Sequence, residues 1–240
     1  MFYNPRIYVI WYNTEMPLFY CEYSILDHAR TDWMTYFGSM TTDDDARDLG
    51  GKIELLGRWS TVGEATGCCV CRSPDAKALN EWLYNWVHMT TCVVWPVLDD
   101  NQARKIILHS IAERPTYRIS YNSVNAVPSQ GESLYWIKYK FKNGYNVKGL
   151  HMFANLSREE NNDIGRNKCL GRWHNISMGS GIIICLSKSE EDLFGWTFKW
   201  VHICDWEIKP VVHDTEWRAV IREKPDFAKK HQALLQKMSQ

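Results

Sequence analysis

The sequence predicts an α+β protein built from two tandem copies of one βαββαβ unit. Three observations carry that expectation. One motif returns after a fixed interval, the same order of strand-type and helix-type stretches occurs twice, and the composition suits a packed core. The motif is Leu56-Gly57-Arg58-Trp59, which returns as Leu170-Gly171-Arg172-Trp173, 114 residues on. The same offset carries Gly67 to Gly181, Cys71 to Cys185, Trp82 to Trp196, Trp86-Val87-His88 to Trp200-Val201-His202, Pro96-Val97 to Pro210-Val211 and Asp100 to Asp214. The matches fall on Gly, Trp and Pro, whose backbone or packing roles other residues fill poorly. A repeat found at this stage governs every later assignment.

Each copy opens with a strand-type run of aromatic and β-branched residues, Ile7 to Tyr12 and Leu134 to Phe141. Their offset exceeds 114, so an insertion of about a dozen residues, a size that surface connections tolerate, is expected in copy one between Asn13 and Gly51. A helix follows, expected over Ser24 to Phe37 in copy one and near Asn146 to Asn155 in copy two. The Asp43-Asp44-Asp45 run suits a solvated loop or a helix start. Two strands come next, Ile53 to Ser60 with Gly67 to Arg72, and Asn167 to His174 with Gly181 to Leu186. Leu79, Trp82, Leu83 and Trp86 recur at helical spacing and predict a helix over Pro74 to Met89 with Ser73 as its cap; Ser189 to Ile203 is its repeat. Last strands are expected at Cys92 to Leu98 and Trp206 to Val212, where Pro96 and Pro210 imply an edge or a bulge. This order is the ferredoxin-like plan, twice. Residues 1–112 form the first unit, 113–133 a linker and 134–240 the second unit. A helix over Ala103 to Ile111, a short extra strand over Tyr117 to Tyr121 and a basic C-terminal helix from Lys224 to Gln240 complete the expectation.

At 240 residues with 45% hydrophobic side chains the chain can bury a sizeable core. Lys+Arg and Asp+Glu are equal at 28 each, so no net field gathers nucleic acid or anionic lipid. No apolar run approaches the roughly 20 residues that cross a bilayer, and the first residues lack the order of a signal peptide, so a cytoplasmic protein with no membrane partner is expected. The eight cysteines form no CxxC pair and read as reduced thiols; Cys68-Cys69-Val70-Cys71 lacks the ligand spacing of a zinc site. P-loop, GxGxxG, HExxH and GxSxG motifs do not occur, which removes the mechanical parts of nucleotide, zinc-protease and serine-hydrolase chemistry.

At the Leu-Gly-Arg-Trp-(His) strand, the Trp-rich helix and the Pro-Val-x-x-Asp end, the chain resembles the bacterial domain of unknown function 3303, a family assigned to the dimeric α+β barrel superfamily. The resemblance implies two ferredoxin-like units whose sheets face each other and enclose a barrel, here within one polypeptide. It implies fold and not activity. Covalent linkage frees the halves from identity, so one can keep a site that the other loses.

Strand alternation puts Arg58 and Ser60 on one face, Arg172 and His174 on the equivalent face, and Trp59 and Trp173 opposite. The bulky Trp suits the helix side, which turns Arg58, Arg172 and His174 toward the barrel interior or its rim. An inward arginine is either in a structural ion pair or clamps a carboxylate or enolate. His174 is then the natural proton-transfer partner. These three are the candidate catalytic residues, with Ser60, His88 and His202 as candidate ligand-binding residues. His88 and His202 close the Trp-rich helices, where a helix-capping role competes with metal or haem ligation. The tryptophans at helical spacing read as core rather than as an aromatic cage.

Three functions follow. The first is a cofactor-independent enzyme or binder of a hydrophobic or aromatic acid, of monooxygenase, isomerase or cyclase type. The second is a non-catalytic module that forms homo-oligomers or regulates a partner. The third binds haem.

Overall fold

The computed structural model describes residues 16–111, 117–119, 121, 124–162 and 164–223. The first half runs β1 (Leu18–Ile25), a 3-10 turn (Asp27–Ala29), α1 (Arg30–Ser39), α2 (Thr42–Asp48), β2 (Glu54–Thr61), β3 (Thr66–Arg72), α3 (Ala76–Tyr84), β4 (Thr90–Asp99) and α4 (Asp100–Ser110). The second half repeats it as β5 (Ser133–Phe141), α5 (Asn146–Ala154), α6 (Arg158–Asn162), β6 (Lys168–Asn175), β7 (Ser180–Ser187), α7 (Glu190–Phe198), β8 (Cys204–His213) and α8 (Asp214–Glu223). The eight strands close into one barrel in the order β1-β3-β2-β8-β5-β7-β6-β4.

Long antiparallel ladders hold each half together, whereas the seams between halves are short. One seam pairs Leu98 with His174 and Asp99 with Trp173; its repeat pairs Trp59, Ser60 and Thr61 with His213, Val212 and Val211. Beyond its seam residues β4 has a single partner strand, β1, so Pro96 lies at the edge its missing N–H requires. The helix after each half's last strand crosses to the other half. Ala103, Ile107 and Leu108 of α4 pack on Phe153 and Ala154 of α5, and Trp217 and Ile221 of α8 pack on Trp33 and Phe37 of α1.

Several elements depart from the sequence expectation. Ile7 to Tyr12 lies outside the described residues, and the first barrel strand is Leu18–Ile25. Leu18 pairs with Arg72 as Leu134 pairs with Leu186, so Leu18 and Leu134 correspond at an offset of 116. Copy one is therefore longer by two residues before its Leu-Gly-Arg-Trp strand, not by a dozen. The acidic run starts α2, where Thr41 and Asp44 form a capping box. Helix α3 begins later than Pro74 because Asp75, not Ser73, caps it, accepting from the Ala78 amide at 2.7 Å. Tyr117, Arg118, Ile119 and Tyr121 carry no strand. The C-terminal stretch from Lys224 lies outside the described residues.

The largest correction concerns the faces of the sheet. Trp59 and Trp173 fill the barrel interior with Leu18, Tyr20, Val70, Trp136 and Ile184. Arg58, Arg172 and His174 face the helices. Volume is the reason: two opposed sheets leave a space that large rings fill, and the motif glycine seats each ring. A Cβ on Gly57 would lie 2.5 Å from the Trp59 ring, and one on Gly171 would meet the Trp173 ring as closely. The barrel interior around this cluster is thus packed with side chains rather than open as a ligand cavity.

Tandem linkage shows directly at Glu22 and Lys138. These are corresponding positions of β1 and β5, and they pair with each other at 3.3 Å across the barrel. In two identical chains the same site would set like charge against like.

Candidate functional site

The site lies between the sheet and the helices of the second half. Strand β6 presents Arg172 and His174, and strand β5 presents Tyr139. The N-terminus of α4, arriving from the first half, presents Asp100, which is 1% exposed. Asp100 accepts from Arg172 Nε and Nη2, each at 2.8 Å, and from Nε2 of His174. Arg172 Nη2 also donates to Asn161 at 2.6 Å, and the guanidinium lies 4.8 Å from the centre of the Phe153 ring. Nη1 of Arg172 makes no hydrogen bond to a described residue. On the other side of the imidazole, Tyr139 bonds Nδ1.

These contacts determine the proton positions. Burial opposes charge on Asp100, but the Arg172 charge and the His174 and Arg172 hydrogen bonds outweigh it and hold the carboxyl below its ordinary pKa. Burial lowers the His174 pKa despite Asp100, so the imidazole is neutral near pH 7. A carboxylate accepts only, so Nε2 carries the proton and Nδ1 accepts from the Tyr139 hydroxyl. Burial raises the Tyr139 pKa and keeps the phenol protonated. The result is an ordered chain, Tyr139 to His174 to Asp100, anchored by Arg172. Its last link has the geometry that holds an imidazole ready to take a proton.

Above this chain is a cavity of about 280 Å³. Aromatic and aliphatic side chains make most of its wall, including Phe141, Phe153, Ile183, Trp196 and Trp206, while Tyr139, Asn161, Arg172 and His174 supply its inner polar groups and Glu160, Lys199 and His202 its exposed ones. The corresponding space in the first half is about 40 Å³. There Arg58 pairs with Asp214 at 2.8 Å and Asp45 at 3.1 Å, and Arg218 binds the same Asp45. Ser60, in the place of His174, lies 2.9 Å from the Tyr23 hydroxyl. Phe37 and Phe153 occupy the same place beside their arginines, both at 4.8 Å. Four residues before Phe37 is Trp33, stacked on it at 4.4 Å; four before Phe153 is Gly149. In the second half the Phe141 ring packs directly against Gly149, so the space beside that glycine is taken by a residue of β5 rather than by the helix itself.

Of the six candidates from the sequence, the structure brings Arg172 and His174 together at this cavity and puts Arg58 and Ser60 at its closed counterpart. His202 lines the cavity from an exposed position. His88 is exposed in the turn after α3. Neither of these histidines caps its helix, because α3 and α7 end four residues earlier, at Tyr84 and Phe198. Asp100, Tyr139 and Asn161 were not among the candidates. Asp100 and its repeat Asp214 carried a usable signal, a charged residue retained at the repeat offset.

Fold and site together define a dimeric α+β barrel condensed into one chain, with a single open cavity of its pair. The chain belongs to the family described as domain of unknown function DUF3303, whose model matches twice, over residues 18–111 and 133–225. Comparison with curated proteins finds no match. Among solved structures the chain is similar to a mutant chlorite dismutase from Candidatus Nitrospira defluvii, with 11% identity and a TM-score of 0.51, covering 87% of this chain and 96% of that one. It is also similar to a dye-decolorizing peroxidase from Bacteroides thetaiotaomicron, with 8% identity and a TM-score of 0.47, covering 87% and 96%. A third is a variant of DypB from Rhodococcus jostii in complex with heme, with 8% identity and a TM-score of 0.45, covering 85% and 95%. At these identities the likeness concerns the fold.

Both nitrogens of His174 are engaged, so this histidine offers no free nitrogen to a haem iron, whereas His202 stands exposed at the cavity wall. Among the described residues no group of three His, Cys, Asp or Glu is placed to hold a metal ion.

Proposed function

We propose that the second half binds a compact aromatic or aliphatic acid in this cavity and carries out proton transfer on it. The observation that carries the reading is the Tyr139–His174–Asp100 chain ending at an aromatic-walled cavity in one half only. Arg172 is braced by Asp100 and offers Nη1 to a carboxylate or enolate oxygen of the ligand. Tyr139 takes a proton from the ligand as its own passes to Nδ1 of His174. The imidazolium so formed is stabilised by Asp100, and the developing negative charge on the ligand by Arg172. The cavity is at the small end of ligand pockets, roughly 300–1,000 Å³, which favours a single-ring or short-chain acid. Arg58 and Ser60 then have structural roles, His88 lies away from the cavity, and His202 borders the ligand.

Thermal-shift titration with a set of small aromatic and branched aliphatic acids tests this. Wild type is expected to be stabilised by at least one acid more than by its amide. Tyr139→Phe removes one hydroxyl and weakens that effect several-fold; Met152→Trp, at the partly exposed wall, blocks it. If no acid stabilises the wild type, or Met152→Trp binds as well as wild type, the reading is wrong.

A further inference from the structure

The two halves differ by one buried charge. In the first half Arg58 reaches Asp214 at 2.8 Å and Asp45 at 3.1 Å, while Arg218 of α8 holds Asp45 through Nη1 at 2.6 Å and Nη2 at 2.8 Å. Two guanidiniums meet two carboxylates. The repeat carries Arg58 to Arg172, Asp214 to Asp100 and Arg218 to Arg104 at the offset of 114, and Met40 to Leu156 and Asp45 to Asn161 at the offset of 116. Contacts agree with this correspondence. Arg218 donates to the Met40 carbonyl and Arg104 to the Leu156 carbonyl, each at 3.3 Å, and Arg172 bonds Asn161 as Arg58 bonds Asp45. In the second half two guanidiniums thus meet one carboxylate, because an amide occupies the place of the other.

Arg104 is the group left unbalanced. It is 3% exposed and has no carboxylate in ion-pair range among the described residues, and its Nε and Nη1 are buried without a hydrogen bond. Asp100 is taken by Arg172 and His174. Asp99 belongs to the capping box of α4, and Glu160, exposed, accepts from the Ser157 amide at 2.8 Å. The Tyr117 ring, 4.2 Å from the Arg104 guanidinium carbon, covers the charge without cancelling it. A buried cation without a counter-ion is costly, and the adjoining cavity is where one can be supplied from outside. Asn161 borders that cavity and is 9% exposed. Its Oδ1 accepts from Arg172, so its Nδ2 and Nη1 of Arg172, neither bonded to a described residue, are the donors left at this wall. Leu156, whose carbonyl Arg104 holds, lines the cavity too. Arg104 does not border it and acts through its charge, which a water-poor interior screens weakly.

We propose that Asn161, standing where the first half has Asp45, makes the helix-side cavity select an anion. The carboxylate of the ligand replaces the missing side-chain carboxylate: it accepts from Nη1 of Arg172 and Nδ2 of Asn161, and its charge offsets that of Arg104. Asn161 is thereby a specificity-determining residue. This role rests on the cavity's taking an acid, and it accounts for the first half, whose charges are matched from within, needing no ligand.

The test uses the full chain with formate as probe, replacing chloride at constant ionic strength. Formate needs none of the aromatic wall, so its result is separate from that of larger acids. Melting temperature and the Arg172 Nε–H resonance are the readouts. Formate is expected to raise the melting temperature of the wild type and to shift that resonance. Asn161→Asp, which supplies the carboxylate from within as in the first half, is expected to melt higher than wild type without formate and to bind formate at least tenfold more weakly. Asn161→Ala keeps the surplus charge and is expected to keep a response to formate. Asp45→Asn, which creates the same deficit in the first half, is expected to melt lower than wild type. The proposal is overturned if formate has no effect on the wild type, or if Asn161→Asp fails to fold, melts no higher than wild type or binds formate equally well. Larger acids that bind wild type and Asn161→Asp alike would refute the role of Asn161 and leave the acid function standing. If formate and the variants behave as expected while no larger acid stabilises the wild type, the acid function fails and the anion site remains.

Discussion

Asp100→Ala is the perturbation that examines most of this structure at once. The carboxylate is buried and accepts from Arg172 through two nitrogens and from His174. It also joins the first half, through α4, to β6 of the second. Removing it leaves the guanidinium with the Asn161 oxygen at 2.6 Å and the Nε2 proton of His174 without an acceptor. Breaking a buried ion pair from one side costs about 3–5 kcal/mol, a large share of the roughly 5–15 kcal/mol of an ordinary domain. The repeat provides an internal control. Asp214→Ala removes the corresponding carboxylate, but Asp45 remains bound to Arg58 at 3.1 Å and to Arg218 at 2.6 Å. With the cationic charge still compensated, the loss is on the order of 1.5–3 kcal/mol, as for hydrogen bonds to a charged group. Urea unfolding followed by tryptophan fluorescence and circular dichroism measures both, provided the slope with denaturant is unchanged. If Asp100→Ala lies within about 1 kcal/mol of wild type, or Asp214→Ala costs as much, Asp100 is not the anchor described here.

Two further predictions follow from the same geometry. His174 is neutral in the fold with a lowered pKa, so the unfolded chain binds its proton more readily. Stability from this group is fully present above the unfolded value of about 6.5 and is lost as the pH falls toward the folded value. The difference in melting temperature between wild type and His174→Asn is expected to narrow from about pH 7.5 to about pH 5, a window that brackets the unfolded value; a constant difference would contradict a neutral buried imidazole. Among the glycines, Gly171→Ala forces Cβ against the Trp173 ring and is expected to lower stability by about 1–3 kcal/mol. Gly195→Ala, within α7 with open space around its Cα, is expected to raise it by about 0.5–1 kcal/mol. Thermal melts that reverse the order of these two would contradict the seating of the ring.

The duplication, the order of elements within each unit and the pairing of Arg172 with His174 on one strand face were legible in the sequence, because each depends on local periodicity or on residues repeated at a fixed offset. Three matters needed the tertiary structure. Alternation shows which residues share a face but not which face is interior, and the volume between two opposed sheets decided that Trp59 and Trp173 go inside. Leu18 to Ile25 is not set apart by composition from other runs of strand type, and pairing with β3 and β4 is what identifies it as a strand of the barrel. Asp100 and His174 are 74 residues apart in the chain. No local pattern joins them; the crossing of α4 onto the other half does. That the space between sheet and helices is about 280 Å³ in one copy and about 40 Å³ in the other is a difference of side-chain packing that becomes visible only when the two halves are compared in space.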